Sequence, residues 1–166
     1  MNQPVVGFRR WAVTYHGATY EPRLRGRVAP VVWSVDGWTE AACVASMAAS
    51  DVEPHAAPHR DCDCGLYAYH SLPRALARIH AEARLLGRGW DNSEERDVVG
   101  AVIGAGRVVV HGVGWRAQYA RPVVLARPEV PFPAVEEVAA ALGIPLVSLD
   151  RLEQCALEFG ERLRAA

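Results

Sequence analysis

The stretch Asp97–Ala126, DVVGAVIGAGRVVVHGVGWRAQYARPVVLA, decides the fold class. Its runs Val98–Ile103, Arg107–Val110 and Trp115–Leu125 are rich in branched and aromatic residues, and Gly104, Gly106, Gly112 and Gly114 interrupt them. Glycine tolerates backbone angles that other residues avoid. The pattern therefore predicts consecutive antiparallel strands with tight turns, strongly bent as in a small barrel. The same glycines do not make a dinucleotide loop, because no helix follows them and no acidic residue stands at the required distance.

Upstream, Val5–Val13 and Val28–Val35 also read as strands, separated by Gly, Pro and charged turns, while Trp38–Met47 allows either a helix or a strand. Ser71 is a good N-cap and Pro73 sits in the first turn, where a missing N–H costs nothing. Leu76, Ile79, Ala83 and Leu86 recur at helical spacing until Gly87, which predicts a helix over 71–87 lying on the surface of a sheet. His80, beside that apolar stripe, reads as a packing or surface residue. Downstream, Ala134–Leu142 reads as a helix closed by Gly143, Ile144–Val147 as extended, and Leu149–Leu163 as a terminal helix with Cys155 as a small buried residue.

The expected class is α+β: a small, strongly bent antiparallel sheet or barrel with one packed central helix and two C-terminal helices. A chain of 166 residues and 18.1 kDa has the length of a single domain, 1–166. Within it the expected parts are a β-rich 1–70, the helix 71–87, the strands 97–126 and a helical 134–166.

Composition narrows the function. Apolar residues at 51% and charged ones at 22%, without an apolar run of membrane-spanning length, predict a globular protein outside the membrane. The opening MNQPVVGFRRWAV lacks the pattern of a secretory signal, so a cytoplasmic address is expected. A net charge of -1 carries no nucleic-acid signature, and the basic cluster Arg9, Arg10, Arg23, Arg25 and Arg27 reads as solvated strand edges. All 18 basic residues are arginine; a Schiff-base lysine, an amine nucleophile and a Walker A loop are thereby excluded.

The chemistry concentrates in His55–Tyr69, HAAPHRDCDCGLYAY. A Cys62–Cys64 disulfide would close a small strained ring, and a dithiol redox pair normally takes the C-x-x-C form. Thiolate and imidazole are ligands that zinc prefers, and cysteines two apart on an extended chain project to one side. Gly65 permits the turn that brings both sulfurs to one ion, His55 can supply a third ligand from a Pro-bounded loop, and Cys43 a fourth. The candidate metal set is Cys43, His55, Cys62 and Cys64, with zinc as the expected structural cofactor and His59 as an alternative to His55. The competing reading is a polar loop with free thiols and solvated histidines.

The motif H-x-A-P-x3-C-x-C-G-[IL]-Y-A, here His55–Ala68, is followed by G-R-V-V-x-H-G-x-G-W-R-A-x-x-A-x-P, here Gly106–Pro122, and preceded by G-F-R-x-W at Gly7–Trp11. Together they resemble a poorly characterised family of small bacterial proteins. The resemblance implies a cysteine upstream of the histidine, matched best by Cys43, although the alanine-rich segment between Cys43 and His55 is longer here. It implies no activity.

Two functional classes follow. In one, zinc stabilises a binding module for a protein or small-molecule ligand, with Trp115, Arg116, Tyr119 and Arg121 as candidate surface, although these four read better as alternating core and solvent positions. In the other, a hydrolase or group-transfer enzyme uses an open metal position, or Cys62 or Cys64 activated by His59 or His111. Gly65–Ser71 resembles, loosely, a strand of ADP-ribosyl-transfer folds, but no catalytic glutamate motif accompanies it; Glu94–Glu95 is the nearest acidic pair. The binding module is the reading favoured, because four soft ligands can be placed together and a nucleophile, acid and base cannot.

Overall fold

The long strand β1, Val5–His16, organises the sheet. Its alternation buries residues on both faces: Val6 and Phe8 on one, Trp11 and Val13 on the other. The computed structural model describes residues 4–18, 20–27, 31–43, 53, 55–77 and 96–163. Along one edge β1 pairs antiparallel with β5, Arg96–His111, from Val5↔Gly104 to Val13↔Arg96. Its other edge is shared in turn by β8 (Glu161–Arg162) at Val5–Val6, β4 (Leu66–Tyr69) at Phe8, and β2 (Glu21–Gly26) from Trp11 onward.

The strand β6, Gly114–Ala126, pairs with β5 and repeats this division of its free edge. There β4 takes Gly114–Ala117, β3 (Thr39–Glu40) takes Tyr119–Ala120, and β7 (Leu146–Val147) runs parallel at Leu125–Ala126. Because β4 touches both β6 and β1, the strands β1, β5, β6 and β4 curl into a partial ring joined by the Phe8↔Tyr69 pair, not a true barrel. The α+β class with a strongly bent, mainly antiparallel sheet is therefore observed.

Trp115 fills the inside of this curl, fully buried, its indole N–H donating to the Val6 carbonyl at 3.2 Å. A Cβ at Gly104 would stand 2.6 Å from its ring, and one at Gly7 would stand 2.8 Å from Nε1. Gly104 is thus required by close packing and does not form a turn. Gly106, at φ 74, lies in the register shift between Ala105 and Val108. The three apolar runs consequently form two strands, since the glycines at 104 and 106 bend β5 without ending it. The chain reverses at Gly112–Val113, between the paired His111 and Gly114.

Residues 72–77 form the helix α1; the rest of the expected helix, 78–87 with His80, lies outside the described residues. Leu72 and Ala75 pack against Val99, Ala101 and Ile103 of β5, together with Leu152 and Ala156 of α3 (Leu149–Ala156). The helix α2, Pro133–Leu142, covers the opposite face through Ala134, Val135 and Val138, and Gly143 closes it at φ 63.

Two expectations are corrected. The terminal helix stops at Ala156 instead of reaching Leu163, because the N–H of Phe159 turns back to the Ala156 carbonyl and Glu161 donates to Pro4. Gly160 allows that approach, as a Cβ there would stand 2.3 Å from the Pro4 oxygen. The strand β8 thus stands where the last turn of that helix was expected. In the expected strand 28–35, the described residues 31–35 make one bridge, Arg25↔Val32, before Ser34 N–H turns to the Thr39 hydroxyl. The ambiguous 38–47 is extended at Thr39–Glu40, and 44–47 lies outside the described residues. No helix among the described residues is long and apolar enough to cross a membrane.

Candidate metal centre

Two separate pieces of chain bring the sulfurs together. Cys43 follows β3, whose pairing with β6 is extended by the Ala41 N–H to the Gln118 carbonyl at 2.8 Å. Cys62 and Cys64 come from the turn before β4, where Gly65 adopts φ 125 and packs so closely that a Cβ would lie 3.0 Å from both Pro58 and Arg116. A side chain at Gly65 would strain the backbone and push the loop off the sheet.

The ligand atoms of Cys43, His55, Cys62 and Cys64 all lie within 4.8 Å of one another, so this cluster could hold a metal ion. The Cys43 and Cys62 sulfurs are 3.7 Å apart, and Cys64 Sγ is 3.5 Å from His55 Nε2. A tetrahedral zinc with Zn–S of about 2.3 Å and Zn–N of about 2.0–2.1 Å has edges of about 3.8 Å between sulfurs and about 3.6 Å between sulfur and nitrogen. The two observed spacings match those edges. They exceed a disulfide bond by far, and all three cysteines are free thiols.

His55 is oriented for ligation. Its Nδ1 lies 3.0 Å from the Glu53 carbonyl, an acceptor only, so Nδ1 carries the proton and Nε2 keeps its lone pair toward the sulfurs. His59, the alternative, packs its ring 4.8 Å from that of His55, but its Nδ1 accepts the Asp61 N–H. What His59 contributes is its main-chain N–H, donated to Cys64 Sγ at 3.3 Å.

Cys43 and Cys64 are 5% and 8% exposed and pack with Ala57, whereas Cys62 is half-buried. Burial pushes the Cys64 thiol up, the His59 N–H opposes this, and the neighbouring Cys62 and Cys43 add to the rise. Thiolates crowded away from water repel one another. A divalent cation inverts that balance, since a coordinating thiol is deprotonated outright.

Two arginines absent from the expected ligand set hold the loop. Arg116 on β6 is buried and donates through Nη1 to the carbonyls of both Cys62 and Cys64, the latter at 3.1 Å. Arg107 on β5 donates to the Ala56 carbonyl at 3.0 Å and to that of Pro58 at 3.4 Å. Nothing local in Gly106–Val109 or Gly114–Ala117 marks these arginines as holding a loop, since their carbonyl partners lie about fifty positions away in sequence.

The expected aromatic surface is not one surface. Trp115 and Arg116 are buried, Tyr119 donates its hydroxyl hydrogen to Glu40, and Arg121 lies over the Trp38 ring at 5.3 Å. The ring of His111, weighed as a base, lies 6.0 Å from that of Tyr67 and tilted at 57°, while Glu94–Glu95 lies outside the described residues. No protein-family model, curated protein or solved structure matches this chain.

Proposed function

We propose that the protein is a cytoplasmic binding module whose fold is stapled by a closed zinc centre of Cys43, His55, Cys62 and Cys64. The observation that carries the reading is the convergence of three sulfurs and one imidazole nitrogen within 4.8 Å of one another, with two of their spacings close to tetrahedral edges. Four protein ligands leave zinc no position for substrate, whereas a catalytic zinc keeps one open. A set of three thiolates and one imidazole suits zinc better than magnesium or calcium, and thiols kept reduced suit the cytoplasm.

The staple joins the end of β3, the His55 loop and the turn before β4, so the ion ties segments that carry little secondary structure of their own. The ligand of such a module is a protein or a small molecule. For the latter, a cleft of about 300 Å³ lies between the 35–37 turn and the end of α2, with Asp36 and Arg121 among apolar Val35, Val123, Ile144 and Phe159.

Elemental analysis of the purified protein tests the centre. The expected result is about one zinc per chain, lost in the Cys64→Ser protein, and a tetrahedral thiolate spectrum after cobalt substitution. A metal-free protein that remains metal-free after zinc addition and dialysis would remove the reading.

A further inference from the structure

We propose that Arg116 is both the counterion and the clamp of this centre, a positioning residue that acts on zinc through the loop carrying Cys62 and Cys64; the inference rests on the zinc reading above. Its starting point is an anomaly. Arg116 is 7% exposed, yet among the described residues no carboxylate pairs with it. Arginine is almost never that buried without a partner, because an unpaired charge away from water is costly.

The partner that fits is the centre itself. Zinc with three thiolates and a neutral imidazole carries one net negative charge, and Cys43 and Cys64 place it largely out of water. Arg116 supplies one positive charge against the same loop, so ion and arginine together are neutral. This explains why a cation is buried here and why a charged metal complex can be.

Its geometry also fixes the ligands. The guanidinium donates to the carbonyls of both cysteines of the C-x-C turn, so it sets the spacing of the two sulfurs through the backbone. It lies 5.6 Å from the centroid of Tyr67, its cross-strand neighbour, which holds its plane. Tyr67 in turn donates its hydroxyl to the Asp63 carbonyl between the two cysteines, at 2.7 Å. Arg107 grips the other limb of the loop, but it is exposed and contributes less charge compensation.

The test uses the whole zinc-loaded chain and two readouts, zinc affinity by chelator competition and the rate at which iodoacetamide alkylates the centre, each sulfur forming an S–C bond as iodide leaves. Arg116→Met should weaken zinc binding about 10- to 100-fold, the range for lost outer-shell partners. It should also speed alkylation on the order of tenfold, because an uncompensated thiolate is the better nucleophile. Arg116→Lys retains the charge, but its ammonium ends one bond short of the position from which Nη1 meets both carbonyls, so its alkylation rate should stay near the wild type while affinity falls about tenfold.

A folded Arg116→Met protein with wild-type affinity and alkylation rate overturns the inference while leaving the zinc centre standing. If Arg116→Met does not fold even with excess zinc, Arg116→Lys decides: unchanged affinity overturns the clamp, and reduced affinity with a slow alkylation rate supports it. A wild-type chain that binds no zinc overturns this inference together with the reading beneath it.

Discussion

The sulfur of Cys43 stands 3.7 Å from that of Cys62, 19 positions later in the chain, although neither lies in a helix or strand. An ion bound to both would hold such an approach of two thiols from separate loops. Removing zinc with a strong chelator is therefore expected to lower the melting temperature by about 10 °C or more, as several kcal/mol at about 2–4 °C per kcal/mol for a chain of this size. Differential scanning calorimetry with and without chelator measures it; superimposable curves for a protein loaded with zinc would contradict the structural role.

His55 and His59 should separate cleanly. His55→Ala removes an imidazole whose Nε2 faces Cys64, so zinc affinity is expected to fall by at least tenfold and the cobalt spectrum to change. His59→Ala keeps the main-chain N–H that reaches Cys64 Sγ and should retain one zinc per chain. Parallel metal titrations of the two variants decide it, and the reverse ranking would make His59 the ligand.

Three glycines of the β5–β6 hairpin should respond differently to the same added methyl group. A Cβ at Gly114 would meet the Ala68 carbonyl oxygen at 2.0 Å and one at Gly104 the Trp115 ring at 2.6 Å, whereas at Gly112 nothing lies within 4 Å. Urea midpoints are expected to show losses of about 1–3 kcal/mol or more for Gly104→Ala and Gly114→Ala. Gly112→Ala should stay within about 0.5 kcal/mol of the wild type.

Burial, the Arg116 guanidinium and His70 hold the His111 imidazole below the usual histidine range. The folded chain then releases this proton at a pH where the unfolded chain still binds it. Stability from this group is complete above the usual histidine range and is lost as pH falls through that range. Because His111 is only half-buried, the effect should be under about 1 kcal/mol. Urea midpoints at pH 7.5 and pH 5.5, compared between wild type and His111→Gln, isolate it, since proton uptake by the metal ligands is common to both proteins; equal slopes would refute the assignment.

The strand character of Asp97–Ala126 was readable because β-branched runs interrupted by glycine leave few other structures open. What the spacing concealed was the reason for each glycine. Gly104 looks like a turn residue, but it is small because Trp115, eleven positions later, must lie against it, and such a tertiary demand has no local signature. The end of α3 was hidden for the same reason: Leu149–Leu163 has helical spacing, and only the contact of Gly160 with Pro4 replaces the last turns by a strand. The four converging side chains were readable as chemistry, since few residue types bind zinc. Arg116 was not, because an arginine on a strand reads as a solvent-facing residue until the strand's neighbours are known.

The pairing of β1 with β8 gives the fold a particular order of assembly. The Val5–Val6 edge of β1 waits for Glu161–Arg162, far along the chain, and its other edge waits for β5 at Gly104. Until β5 is in place, Val5–Val6 stands with main-chain groups unpaired on both sides, and one side stays open until β8 docks. Long-range pairings of this kind are formed slowly. While the chain folds, this stretch is thus an open, apolar strand, and a chaperone that shields extended segments would find a natural target there.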